Sequence, residues 1–322
     1  MEGVISQEHS PAHASIVLGA MDFGTTVPED TATAILDRFV ELGGRWIDTA
    51  DCYSFWNDPS GVGGQSEALL GRWLARRPGL RRQLLLSTKV RHQPLVPHRW
   101  PESAEGLSAT AIRDGVRGSL ERLGVDHVDL LWAHAEDRTV ELRETVEAFG
   151  RLAAEGTVGR LGASNHATWR VERARAIAAS LRLPGWTALQ LRHSYVRPRP
   201  DTRLPDAGHQ LISPQDLDLA AEEGLAVWAY SPLLRGSYVR SDRPLHEIYD
   251  HPGTGRRLDL LKTLADETGA TANQLVLAWL LGSSPAVSPI VGVSSVGQLE
   301  EAMAAQALAL DPAVLRRMDE TG

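Results

Sequence analysis

A closed barrel of eight parallel strands, each followed by a helix, is the fold this chain predicts. Three observations lead there. Short apolar runs alternate with longer amphipathic ones along the chain, the pattern of a parallel sheet with crossover connections. Eight such runs occur, and right-handed crossovers in that number close a sheet on itself as a (β/α)8, or TIM, barrel. The turn after the first run, Gly19-Ala20-Met21-Asp22-Phe23-Gly24, lacks the G-x-G-x-x-G of an open doubly wound sheet.

The first strand is expected over 16–20. A helix follows over 28–42, with Ala32, Ile35, Leu36, Phe39 and Val40 at helical spacing, start signals at Asp30 and Thr31, and a stop at Gly43-Gly44. Later strands are expected at 45–48, 84–89, 128–134, 158–163, 187–191, 225–229 and 287–291. The helices between them are expected at 66–76, 108–123, 143–155, 168–181 and 213–223, then as a pair at 255–268 and 271–282. Helices over 296–305 and 312–319 end the chain. No composition break splits it, so one barrel domain is expected, with 1–13 as a flexible tail. The irregular stretches 55–64, 91–106, 192–212 and 233–254 follow strand ends and are expected to wall a substrate pocket.

Four polar residues lie at or just after these strand ends: Asp48, Tyr53, Lys89 and His134. A barrel gathers its chemistry at the C-terminal ends of its strands, so an acid, a phenol, an amine and an imidazole should converge there. Singly each has an ordinary explanation: a turn cap, a rim phenol, a solvated amine, a structural histidine. Together they can deliver a proton to a carbonyl oxygen, half of a carbonyl reduction, with the hydride left to a cofactor. Tyr53 is the expected general acid. A nearby ammonium, Lys89 held by Asp48, is expected to lower its pKa from the ordinary ~10, and His134 to orient the carbonyl. A barrel lyase using Lys89 as a Schiff base is a rival reading.

The bulk properties narrow the field. The 322 residues carry a net charge of −8 with both signs interspersed, so the basic stripe of a nucleic-acid binder is missing. No run approaches the length of a membrane span. Cys52 is the single cysteine, which excludes an intrachain disulfide and suits a reducing cytoplasm, the expected location. Beside Tyr53 it reads as a small packed residue. His9, His13, His246 and His251 read as surface histidines, and no metal site is expected. A composition rich in Arg and Ala and poor in Lys points to a bacterium with a GC-rich genome. Trp56, Trp100, Trp132 and Tyr195 are expected to line an apolar substrate pocket, with the barrel core an equal alternative for Trp132.

The motifs carrying these residues resemble those of the aldo-keto reductases. Gly44-Arg45-Trp46-Ile47-Asp48-Thr49-Ala50-Asp51-Cys52-Tyr53 is followed by Ser66-Glu67-Ala68-Leu69-Leu70-Gly71. Next come Ser87-Thr88-Lys89, Asp129-Leu130-Leu131-Trp132-Ala133-His134, Gly162-Ala163-Ser164-Asn165, Gln190, Tyr230-Ser231-Pro232-Leu233 and Gly292. The resemblance runs from about Leu18 to Met303. It implies a barrel, reduction of an aldehyde or ketone, and NADPH or NADH as cofactor. Asp48, Tyr53, Lys89 and His134 fall on that family's catalytic tetrad. Ser164, Asn165 and Gln190 match residues holding the nicotinamide carboxamide, Tyr230 the aromatic stacked on its ring, and Ser231, Pro232, Leu233 and Arg235 the loop over the pyrophosphate. Gly292, Val293, Ser294, Gln298 and Glu301 match the adenosine end, and Met21 and Asp48 complete the expected cofactor contacts. The sequence departs where Ala302 replaces a frequent Asn, and where Gly292 and Gln298 replace the Lys and Arg of some members. Branches with Gly and Gln there still use NADPH, which is the expected cofactor, with Arg235 the nearest charge for its phosphate. The resemblance extends to the β subunits of potassium channels, which makes a nicotinamide-binding regulatory subunit with little turnover the alternative.

Overall fold

The computed structural model describes residues 14–205 and 208–321. His9 and His13, and the expected tail, lie outside the described residues. Eight strands close in sequence order into a parallel barrel: β1 (Val17–Gly19), β2 (Trp46–Asp48), β3 (Leu85–Val90), β4 (Val128–Ala133), β5 (Val158–Ser164), β6 (Ala188–Arg192), β7 (Ala226–Tyr230) and β8 (Val287–Gly292). The intervening helices are α1 (Glu29–Glu41), α2 (Gln65–Ala75), α3 (Ala109–Leu123), α4 (Leu142–Ala154), α5 (Thr168–Leu181), α6 (Pro214–Glu223), α7 (Pro252–Thr268) and α8 (Ala272–Leu281). α9 (Val296–Ala304) and α10 (Pro312–Glu320) follow β8. Each departs from its expected span by a few residues at most, because capping residues mark the boundaries. Thr271 and Ser213 form reciprocal capping boxes with Gln274 and Asp216, and Gly124, Gly224 and Gly269 end helices in the left-handed region.

Two apolar layers hold the barrel. The larger lies between strands and helices and includes Ile35, Leu36, Phe39, Leu70, Ile112, Phe149, Leu264 and Leu280, all fully buried or nearly so. The smaller fills the barrel: Val17, Leu130, Trp132, Ala188, Trp228 and Ile290, with Trp46, Ala226 and Tyr230 packed on it. Side chains alternate across a strand, so the inward row of each strand can be read upward. Trp46 leads to Asp48, Leu130 and Trp132 lead to His134, Ala188 to Gln190, and Trp228 to Tyr230. The inward rows thus change from apolar to polar at one end of the barrel, the C-terminal ends of the strands.

Trp132 and Trp228 form the floor under that polar layer, with ring centres 5.2 Å apart. The floor fixes a neighbour on β5: a Cβ on Gly162 would stand 2.3 Å from the Trp132 ring, so no side chain fits there. Trp132 is therefore barrel core, wholly buried, the second of its two expected places, and does not line a substrate pocket. Tyr195 is displaced further. It is fully buried against Trp279 of α8, rings 5.3 Å apart, with the Arg257 guanidinium of α7 over its face. The helix layer, not the barrel mouth, receives it.

Candidate active site

Lys89 is the junction of the polar layer. Its ammonium donates to Asp48 Oδ2 at 2.5 Å, to the Thr49 carbonyl at 2.8 Å and to the Tyr53 hydroxyl oxygen at 2.8 Å. An ammonium has three protons, and these three acceptors use them all. Lys89 and Asp48 are both buried, so the charges face each other out of water. Asp48 Oδ1 accepts from Ser87 Oγ at 2.6 Å and lies 3.4 Å from Gln190 Nε2. The backbone N–H of Asp51 donates to the Lys89 carbonyl, tying the loop after β2 to β3. Among the described residues, no acceptor takes the Tyr53 phenol's own proton.

Burial pushes the Tyr53 phenol well above its ordinary pKa, and the Asp48 carboxylate pushes the same way. This reverses the expected lowering. The reason is electrostatic: Lys89's charge is already matched by Asp48, leaving desolvation of the phenolate dominant. His134 lies beside Tyr53 with ring centres 5.8 Å apart. It is held well below the usual histidine pKa by burial, then by His92 and the Lys89 ammonium. Its Nδ1 lies 3.7 Å from Cys52 Sγ, and burial pushes that thiol up, so the sulfur keeps its proton. Cys52 is thus packed, as expected, and also touches a residue of the site.

The loop carrying Tyr53 is held from beneath. Ser66 Oγ donates to the Ala20 carbonyl and meets Thr49 Oγ1, each at 2.7 Å. The wholly buried Glu67 accepts from Thr88 Oγ1 and from Arg122 Nε. The Ser-Glu pair opening α2 therefore binds the ends of β1, β2 and β3 together. The buried Asp51 carboxyl is held well above its usual pKa by burial and by the neighbouring Glu105 carboxyl.

The expected cofactor residues lie along the rim from β5 to β8. Ser164 ends β5, Gln190 is in β6 and Tyr230 ends β7. Asn165 does not cap α5, whose N-cap is Ala167. Its amide is a hub. Nδ2 donates to the His134 carbonyl and to Ser164 Oγ, both at 3.1 Å, and Oδ1 accepts from Tyr230 at 2.7 Å and from the Gln210 backbone at 3.1 Å. After β7, Ser231, Leu234 and Arg235 all have positive φ, a strained turn of the kind found at functional sites. Pro232 is buried there, Leu233 partly so, and Arg235 is exposed. This turn packs on the loop after β6 through Val196, Leu234, Ile248 and Tyr249, and Ser194 Oγ donates to the Pro232 carbonyl at 2.5 Å. Gly292, Ser294 and Gln298 are exposed at the head of α9 while Val293 is buried, and Gln298 Oε1 accepts from the Ser294 backbone at 2.8 Å. Glu301 accepts through Oε1 from Thr271 Oγ1 at 2.6 Å at the head of α8. Met21, after β1, is 40% exposed on the rim.

Of the residues expected to line a pocket, Trp56 and Trp100 lie in one chain of ring contacts with Tyr53 and His134, joined by Phe55 and His92. Six rings make a closed circuit of contacts: Tyr53 to Trp56 at 6.3 Å, Trp56 to Phe55 at 5.0 Å, Phe55 to Trp100 at 5.6 Å, Trp100 to His92 at 5.8 Å, His92 to His134 at 4.7 Å, and back to Tyr53. Phe55, Trp56 and Trp100 also line a recess of about 380 Å³ with Asn57, Asp58, Pro59 and His98. A larger recess of about 480 Å³ opens between α3 and α4, among Arg113, Leu120, Val125 and Leu152, away from this chemistry. His246 and His251 accept from backbone N–H groups at helix starts, Ile248 and Gly253, which gives both a capping role. No cluster of metal-ligating side chains occurs among the described residues, and no helix there is long and apolar enough to cross a membrane.

The fold is a barrel with a buried polar layer at its strand ends, and comparison with known proteins supplies both its class, an oxidoreductase, and its family. Residues 15–322 match the Aldo/keto reductase family, to which the chain belongs. It is 30% identical to the uncharacterized oxidoreductase YrpG of Bacillus subtilis, over 95% of this chain and 91% of that protein. It is 28% identical to the norsolorinic acid reductase stcV of Emericella nidulans, over 95% of this chain and 77% of that one. It is 27% identical to the aryl-alcohol dehydrogenase GME11368 of Pestalotiopsis microspora, over 86% and 70%. The general chemistry of the family is reduction of small carbonyl compounds with a nicotinamide cofactor.

The buried imidazoles generate a prediction about acid stability. Burial pushes His92 down to about 3, His166 to about 4 and His193 to about 3, and His134 well below the usual value. An unfolded chain takes up these protons near pH ~6.5. The folded chain refuses them until lower pH, so stability is complete above ~6.5 and is lost as pH falls through that window. Asp51 opposes the trend, because the folded state keeps its proton more readily than the unfolded one. Each imidazole contributes up to about 1.4 kcal/mol per pH unit to the slope. Urea midpoints measured from pH 8 to pH 5 should be flat above 7 and fall steeply below 6.5; a flat profile down to pH 5 contradicts neutral burial.

Proposed function

We propose that the protein reduces an aldehyde or ketone to an alcohol, with Tyr53 as proton donor, His134 orienting the carbonyl, and NADPH as the preferred cofactor. The observation that carries this reading is the Lys89 junction: its ammonium contacts Asp48, Thr49 and the Tyr53 oxygen at once, while the phenol proton has no acceptor among the described residues. That proton is left for a substrate oxygen. Burial keeps the phenol protonated until the carbonyl oxygen becomes basic, and Lys89 then stabilises the phenolate left behind. In the tautomer in which the Cys52 thiol, 3.7 Å away, donates to Nδ1, neutral His134 carries its proton on Nε2 and presents a second donor to the same oxygen. The Schiff-base alternative is weaker on this geometry, since a fully paired, buried ammonium is not a free amine.

A nicotinamide cofactor, when bound, supplies the hydride. The donor set suits it: Ser164 and Gln190 offer hydroxyl and amide groups beside the polar layer, and Tyr230 offers an aromatic ring. Asn165 supports this set through Tyr230 and Ser164. Arg235, Ser294 and Gln298, all exposed, would meet the phosphates with one cation and several neutral donors, and α9 adds a helix N-terminus. The substrate reaches Tyr53 through the aromatic mouth of Trp56, Phe55 and Trp100. A cytoplasmic location and a bacterial source complete the proposal.

Tyr53→Phe keeps the ring and deletes the proton. It should bind cofactor as the native protein does and lose ~10²–10⁴-fold in carbonyl turnover, followed by cofactor absorbance. A variant retaining more than about a tenth of the turnover contradicts the assignment.

Titration with both cofactors, read by quenching of tryptophan fluorescence, should show NADPH binding more tightly than NADH by less than about tenfold. Charge-assisted contacts are about twice as strong as neutral ones, and only Arg235 supplies one, so Arg235→Ala should erase most of the difference. Equal affinities or a preference for NADH overturn the NADPH assignment; no binding of either overturns the reductase reading.

A further inference from the structure

His92 stands in the loop leaving β3, between the proposed carbonyl-orienting His134 and the wall residue Trp100. Its orientation is built. Arg91 donates through Nε to the Glu136 carbonyl at 2.7 Å, and its Nη1 lies 2.9 Å from His92 Nδ1. A guanidinium cannot accept, so Nδ1 of His92 must. Burial and the neighbouring Arg91 charge hold His92 neutral. Its one ring proton therefore sits on Nε2, the nitrogen that makes no hydrogen bond to the described residues. The wall beside it holds a second unspent donor, because Trp100 Nε1 is buried without a partner there. Arg91 is itself held in a backbone conformation with φ 125°, where non-glycine residues are rare. Strain of this kind persists where surrounding contacts over-determine it; here the Arg91 backbone N–H donates to Glu105 Oε1 at 2.5 Å.

We propose that His92 is a specificity-determining residue that donates Nε2–H to a second oxygen of the substrate, next to the reacting carbonyl. The inference rests on the carbonyl-reductase reading and deepens it. The substrate class follows from the geometry. The His92 and His134 rings are in edge contact, with centres 4.7 Å apart, so a carbonyl held by His134 lies next to His92, and an oxygen on the neighbouring carbon is the one nearest its donor. Trp56, Phe55 and Trp100 line the same mouth and suit a flat aromatic body. The class is an aromatic carbonyl compound with an adjacent oxygen acceptor, such as a vicinal dicarbonyl. A monofunctional aldehyde leaves the His92 donor unmade, at a cost to its binding.

The test compares 1-phenyl-1,2-propanedione, which has the second oxygen, with benzaldehyde, which lacks it, and reads the ratio of their kcat/KM values. In the native protein the ratio should favour the dione. His92→Phe keeps a planar ring and removes the donor; the ratio should fall about tenfold, the loss one unmade hydrogen bond produces, and should appear in the KM of the dione. His92→Gln keeps an N–H and should hold the ratio within about threefold of native. A purely structural role predicts that both variants lose turnover of both substrates together. That result, or an unchanged ratio in His92→Phe, overturns the assignment while leaving the reductase reading standing. A native protein that reduces neither compound nor any other carbonyl overturns the reductase reading, and the role of His92 falls with it.

Discussion

The upper half of the barrel depends on one buried ion pair, Lys89 with Asp48. Taking two charges out of water is expensive, and their attraction compensates only when the remaining hydrogen-bonding capacity is also met. Here it is met in full for the ammonium, and Asp48 has Ser87 and Gln190 as further partners. Those partners come from β2, β3, β6 and the loop after β2. Meeting the demand of two charges therefore fixes the relative positions of several chain segments, and the Tyr53 oxygen is fixed as one of the acceptors.

The layers around the pair make that arrangement possible. Below it, Trp132 and Trp228 fill the barrel and exclude water, with Gly162 leaving room for the Trp132 ring. Outside it, Ser66 and Glu67 brace the strand ends from the first turn of α2. Above it, the ring circuit from Tyr53 to His92 includes two groups, the Tyr53 O–H and the His92 Nε2–H, whose protons have no acceptor among the described residues. A site that presents protonated donors over a dry floor is arranged for an oxygen that gains negative charge.

Much of this was legible in the sequence, for a physical reason. Strand periodicity is two, so Trp46 and Asp48, or Trp132 and His134, must share a face, and the barrel decides that the face is inward. The same rule decides between the two places open to Trp132: two positions below His134, it belongs to the barrel core. Tyr195 was not legible, because residues 192–212 have no period to show which way a side chain turns. The sign of the Tyr53 shift was not legible either: a nearby ammonium argues for lowering, and only the structure reveals how far Asp48 already neutralises it and how deeply the phenol lies. Glu301 was matched by position to a cofactor contact, and nothing in the sequence signals that its Oε1 also accepts from Thr271 at the head of α8. His92 left one faint signal, a histidine three residues beyond Lys89 and directly after an arginine able to hold it.

The central claim is that Lys89 and Tyr53 act as one unit, and a double-mutant cycle in single-turnover carbonyl reduction tests it most directly. Residues that act as a unit lose function together, not additively. With Lys89→Met, Tyr53→Phe and the double variant all shown to be folded and to bind cofactor, the double variant should be about as slow as Tyr53→Phe alone. Losses that multiply would mean that the two side chains act independently, and would contradict the account.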